Sequence, residues 1–145
     1  MSVTAASSVN GEVRNVVRAT SVVSVVLGVA LSPIPLADEL MLLPVYGAMA
    51  AFIGRTHGLG WRRVPWRPIA VATVAGLSAR AALNVGFAFI PGVAAAANAV
   101  SAAVLTRVLG GYVDQACASP ETATPLSIRE LTELFKQAMR RAPMV

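Results

Sequence analysis

Two apolar stretches, residues 19–54 and 69–113, dominate the chain, and polar positions collect at their edges. The first stretch carries two formal charges, Asp38 and Glu39, just after Pro33-Ile34-Pro35. The second is interrupted by Pro91-Gly92. From Glu12 the apolar positions are dense (Val16, Val17, Val22, Val23, Val25, Val26, Leu27) and show no strict alternation. They predict a helix over 12–31. Many are β-branched, which favours strand in water, but a helix satisfies its own backbone in apolar surroundings. Pro33 and Pro35 cannot continue that helix. A second helix is expected over 36–55, with Asp38 and Glu39 in its first turn, where the helix dipole favours negative charge. Pro44 is a kink candidate, and Gly54, Arg55 and Gly58 fit the helix end.

A third helix is expected over 69–90, with Arg80 and Asn84 as its polar members, ending at Pro91-Gly92. The Ala-rich residues 93–116 predict a fourth. Ala95, Ala99 and Ala103 recur every four residues, as do Ala72, Gly76 and Arg80. Small residues at this spacing let helix backbones approach closely, above all in membranes. Residues 118–126 read as a linker. Ser127 and Glu130 then form an S-x-x-E capping box. Leu131, Leu134, Phe135 and Met139 follow on one face of an amphipathic helix over 127–142, suited to docking or to binding a partner. The expected fold is all-α: two hydrophobic helical hairpins forming a four-helix bundle, plus a C-terminal amphipathic helix. Residues 1–11 are Ser/Thr/Ala/Val-rich and are expected to be flexible; 12–117 form the hydrophobic helical domain.

Composition sharpens this picture. Hydrophobic residues make up 56% of the 145 and charged residues 13%, against about 25% charged in ordinary soluble domains. That is too little charge to coat one small domain, so apolar surface faces lipid or another subunit. The net charge is +5. The basic residues lie before residue 19, in 55–67 and after 128, with Arg80 and Arg107 as exceptions. The turns at 33–35 and 91–92 lack Lys and Arg. If each stretch dips in and returns, all three basic clusters share one side of a membrane, expected to be the cytoplasmic side. Arg55, Trp61, Arg62, Arg63, Trp66 and Arg67 then form an interfacial anchor beside anionic headgroups. A single span needs about 20 mostly apolar residues, and 36–55, with two acids and Pro44, and 69–90, with Arg80, are poor single spans. Arg107 can snorkel from the base of the second hairpin. Arg80 needs a partner, and Asp38 and Glu39 are the acidic candidates; Asn84 and Asn98 add polar groups to the apolar region.

Catalytic equipment is sparse. His57 is the sole histidine and Cys117 the sole cysteine. The sole lysine, Lys136, lies in the terminal helix, and no phosphate-binding Gly-rich loop, dinucleotide fingerprint, nucleophile elbow or metal-ligand spacing appears. No cofactor is expected. Nothing interleaves base-stacking aromatics with cations, and no zinc-finger or helix-turn-helix pattern appears, so nucleic acid is not an expected partner.

Pro33-Ile34-Pro35-x-Ala37-Asp38, Met49, Gly58, Ile90-Pro91-Gly92, Asn98 and Thr106-x-x-x-Gly110 occur in an order and spacing that resemble the bacterial family catalogued as domain of unknown function 697. The likeness covers Pro33 to about Val113. Tyr46 stands where that family usually has glutamine, and His57 where it often has tyrosine. Its members are often fused to, or encoded with, Era-like or dynamin-like GTPase domains, and many are described as membrane proteins. The resemblance implies a membrane-associated adaptor or effector of a separate GTPase, with Asp38 a structural or switch residue.

Three functions are therefore expected in descending order. The first is a non-catalytic, membrane-associated helical module that assembles with itself or with a GTPase. The second is a soluble helical scaffold or cargo-like protein that oligomerises through its apolar faces. The third is an enzyme using Asp38, Glu39 and His57, which requires the three to converge in one concave site.

Overall fold

A computed structural model describes residues 3–30, 37–87 and 93–141 of the chain. It is all-helical, with no strand among the described residues. The elements are α1 (Val3–Ala30), α2 (Ala37–Thr56), a 3-10 turn (Trp61–Arg63), α3 (Trp66–Phe87), α4 (Val93–Ala118) and α5 (Ile128–Arg141). The expected helices are all present, with ends shifted by a few residues. Helix α1 is the exception. It begins at Val3, not Glu12, and so takes in residues expected to be flexible. No proline interrupts this stretch, and Ala5 and Ala6 are strong helix formers. Pro33, Pro35, Pro91 and Gly92 lie outside the described residues, and the helices flanking them are separate elements. Pro44 lies within α2, which runs through it.

The end of α2 follows from its sequence. Leu59 N–H donates to the Gly54 carbonyl and Gly58 N–H to the Arg55 carbonyl, both at 2.9 Å, while Gly58 takes φ +72°. This is a Schellman end, and it needs a residue that enters the left-handed region at no steric cost. The chain then turns through Trp61–Arg63 into α3.

Helix α4 lies at the centre and packs against α1, α2, α3 and α5; α1 and α3 do not meet among the described residues. Side-chain levels give the directions. Gly110 faces Val17, while Gly28 faces Asn98 and Ala102, so α1 runs antiparallel to α4. Gly76 faces Leu105 and Arg80 reaches Asn98, so α3 is antiparallel to α4 as well. Tyr46 meets Thr106 and Gly54 lies beside Cys117, so α2 runs with α4. The core is Leu42, Tyr46, Met49, Ala50 and Ile53 of α2 against Leu105, Leu109, Val113 and Cys117 of α4, closed by Ile69, Ala72 and Leu77 of α3.

Small residues allow the closest contacts. A Cβ at Gly76 would stand 2.6 Å from Leu105 Cδ1, and one at Gly110 would stand 2.5 Å from Val17 Cγ2. The buried stripe of α4 runs through Ala102, Leu105, Leu109 and Val113, whereas Ala95, Ala99 and Ala103 are only half-buried.

Candidate functional site

The outer wall of the helices is apolar. Val22, Val26, Leu40, Phe52, Val74 and Val85 are 64, 59, 68, 57, 57 and 64% exposed. Among the described residues no exposed side chain between Arg18 and Arg55 is charged, and between Arg67 and Asp114 the only exposed one is Arg107. Three hydroxyls on this part of the chain bond back to their own helix. Thr73 donates to the Ile69 carbonyl, Ser78 to Val74 and Thr106 to Ala102, each at 2.8 Å. This back-bonding leaves little for water to solvate. Two segments, Gly11–Ala30 and Ala95–Ala118, are long and apolar enough to cross a membrane.

Inside the wall, a polar cluster joins all four long helices near the C-terminal ends of α1 and α3 and the N-terminal ends of α2 and α4. Arg80 of α3 is fully buried. Its Nη1 donates to Glu39 Oε1 at 3.2 Å and its Nη2 to Asn98 Oδ1 at 2.7 Å. Asn98 Nδ2 donates to the Gly28 carbonyl at 3.0 Å, and Ser101 Oγ to the Asn98 carbonyl at 3.0 Å. Burying a guanidinium requires an anion and further acceptors around it. Glu39 supplies the charge and Asn98 relays the network to α1. Gly28 leaves the space: a Cβ there would stand 3.2 Å from Arg80 Nη2. Of the expected candidates, Glu39, Arg80 and Asn98 are thus brought together. The side chains of Asp38 and Asn84 lie outside the described residues. Ser24 Oγ is buried with no hydrogen-bond partner among the described residues.

The opposite end holds the charge and the aromatics. Trp61 and Trp66 have ring centroids 4.4 Å apart at 45°, and Trp66 Nε1 donates to the Trp61 carbonyl at 2.8 Å. Trp61 is 67% exposed, and Arg55, Arg62, Arg63 and Arg67 are exposed around it. Arg55, Phe52, Leu59 and Trp61 border a cavity of about 500 Å³. The six residues expected as an interfacial anchor therefore share one end of the molecule. His57 Nε2 lies 2.7 Å from Asp114 Oδ1, tying the α2 end to α4. Nothing in the spacing of these two residues signalled that pairing.

His57 and Glu39 sit at opposite ends of α2, roughly 27 Å apart along the axis at 1.5 Å per residue. The convergence that an enzyme using Asp38, Glu39 and His57 would require does not occur, because Glu39 and His57 are this far apart. Among the described residues, no group of three or more His, Cys, Asp and Glu side chains could hold a metal ion.

Helix α5 begins at the expected capping box. Glu130 N–H donates to Ser127 Oγ at 3.2 Å, while Ser127 Oγ and Ser127 N–H donate to Glu130 Oε2 at 2.7 and 2.8 Å. These bonds, the hydroxyl's first, hold the Glu130 carboxyl below its ordinary pKa. α5 packs against α3 and α4. Leu131 is buried in the core and so is not available to a separate partner, whereas Leu134 is 40% exposed. Phe135 and Met139 have side chains outside the described ones.

No family model, curated protein or solved structure matches the chain.

Proposed function

We propose that this chain is a non-catalytic membrane module. Its two helical hairpins, arranged as a four-helix bundle, dip into the bilayer from one side, and it assembles with further copies or with a partner there. The carrying observation is the charge-free outer wall with its exposed Val and Leu side chains. The wall is short. From Arg18 to Ala30 is roughly 18 Å and from Arg107 to Val93 roughly 21 Å, against about 30 Å for the hydrocarbon core. Insertion from one face suits these lengths better than independent crossing by each helix. The Arg and Trp side chains at the other end then lie at the headgroups, on the cytoplasmic side by the positive-inside rule.

Within this function the Arg80–Glu39–Asn98 cluster is structural. A charged network sealed inside a greasy wall fixes the helices to one another where hydrophobic packing discriminates little between positions. The resemblance to the domain of unknown function 697 family extends the proposal to an adaptor or effector of a separate GTPase. Three positions that carry the likeness hold α4 in place: Asn98 in the cluster, Thr106 beneath the Tyr46 hydroxyl at 3.2 Å, and Gly110 against Val17.

Vesicle flotation of the full chain tests the proposal. It is expected to rise with phospholipid vesicles and to resist alkaline carbonate extraction. A chain that stays at the bottom, and scatters light in detergent-free buffer as a defined oligomer, is the soluble scaffold instead. A detergent-free monomer contradicts both.

A further inference from the structure

Three arginines converge where α1 meets α4. Arg14 and Arg18 of α1 and Arg107 of α4 line one groove of about 430 Å³, with Gly110, Gly111 and Asp114. None of the three arginines has an ion pair or hydrogen bond among the described residues. The groove's single acid, Asp114, is engaged by His57 at 2.7 Å. The groove thus sets three guanidinium groups against one carboxylate, an excess of positive charge in a concave place.

The local fold builds the groove. Gly110 lets α1 approach α4 so closely that a Cβ there would collide with Val17, which brings the arginines of two helices together. A Cβ on Gly111 would meet nothing within 4 Å, so that position leaves the floor open. Arg107 lies one turn from Gly110 toward the apolar half, as the only exposed charge on that stretch of α4. At that depth a guanidinium without a counter-ion is costly. Planar guanidinium forks match a phosphate well.

We infer that the groove between α1 and α4 binds the phosphate of an anionic phospholipid through Arg14, Arg18 and Arg107. It rests on the membrane function proposed above and adds a specific ligand to it. The lipid's acyl chains continue along the apolar wall while its phosphate sits among the three arginines. This places the molecule at a defined depth, which a diffuse basic collar does not.

The test uses the full chain in a neutral detergent with mixed micelles containing phosphatidylglycerol, and native mass spectrometry reads retained phospholipid. The wild type is expected to retain one phosphatidylglycerol. At about fivefold per arginine near a membrane surface, R18Q/R107Q retains it roughly 25-fold less. R18K/R107K keeps much of the retention. Gly111→Leu, which fills the groove and leaves every charge in place, also loses it. R62Q/R63Q, which removes two charges from the Trp loop, behaves as wild type. Equal retention by R18Q/R107Q overturns the site, and so does equal loss in R62Q/R63Q. Displacement by inorganic phosphate at matched concentration also overturns it, since that marks a site for free anions. Flotation on phosphatidylcholine vesicles separates the two levels. A wild type that floats but retains no more lipid than R18Q/R107Q loses the site alone. A wild type that never floats loses membrane insertion and the site together.

Discussion

Arg80 Nη1 of α3 donates to Glu39 Oε1 of α2 across 3.2 Å, and the arginine is wholly shielded from the exterior. Removing one member of such a pair leaves an uncompensated buried charge, which costs about 3–5 kcal/mol. Arg80→Met is therefore expected to lower unfolding stability in detergent by about that amount, read from helical circular dichroism against denaturant. Arg80→Met with Glu39→Leu removes both charges and is expected to be closer to wild type than Arg80→Met alone. A double variant as unstable as the sum of the two single ones contradicts direct pairing.

The Gly110 and Val17 contact makes a second prediction. Gly110→Ala places a Cβ where only 2.5 Å separates it from Val17 Cγ2, so α1 must move. Overpacking of this kind costs about 1–3 kcal/mol. Val17→Ala clears the methyl groups and is expected to rescue Gly110→Ala in the same unfolding measurement. Additive losses in the double variant would mean that the two helices do not meet at this level.

The α5 cap carries a pH dependence. Hydrogen bonds from the Ser127 hydroxyl and backbone hold the Glu130 carboxyl below its ordinary pKa. A depressed carboxyl stabilises the fold above its unfolded pKa of about 4.3. That contribution is lost as pH falls through the lower folded value. The amide protection factors of α5, which divide out the intrinsic pH dependence of exchange, are expected to fall below that range in the wild type. Ser127→Ala, which removes the largest cause, is expected to show faster exchange at neutral pH and a weaker pH response. Identical pH profiles for the two proteins would contradict the cap.

The cap was legible because it is local: Ser127 and Glu130 are three residues apart, and the spacing alone encodes both bonds. The need for an acid beside Arg80 was legible too, since a guanidinium in an apolar run demands a counter-charge. Glu39 meets that demand by helix phase, since it shares its face with Leu42, Tyr46, Met49 and Ile53, all buried. The His57 and Asp114 contact was not legible, because it depends on how far α2 and α4 slide past one another. The α1–α4 arginine groove was hidden for the same reason. Arg14, Arg18 and Arg107 read along the chain as separate flanks and become one site only when Gly110 lets the helices close. Helix α1's early start was missed because Ser and Thr weigh toward loose structure in isolation.

In the proposed membrane-bound state the wall bearing Val26, Phe52 and Val74 faces lipid while the Trp loop faces the headgroups and water. In a Cys117→Ala background, a spin label at Val26 and another at Arg63 report this directly in phospholipid vesicles. Oxygen, which concentrates in hydrocarbon, is expected to relax the label at Val26 strongly, and a water-soluble nickel chelate to relax the label at Arg63. Strong relaxation of both labels by the nickel chelate would mean that the wall faces water and is not inserted in lipid.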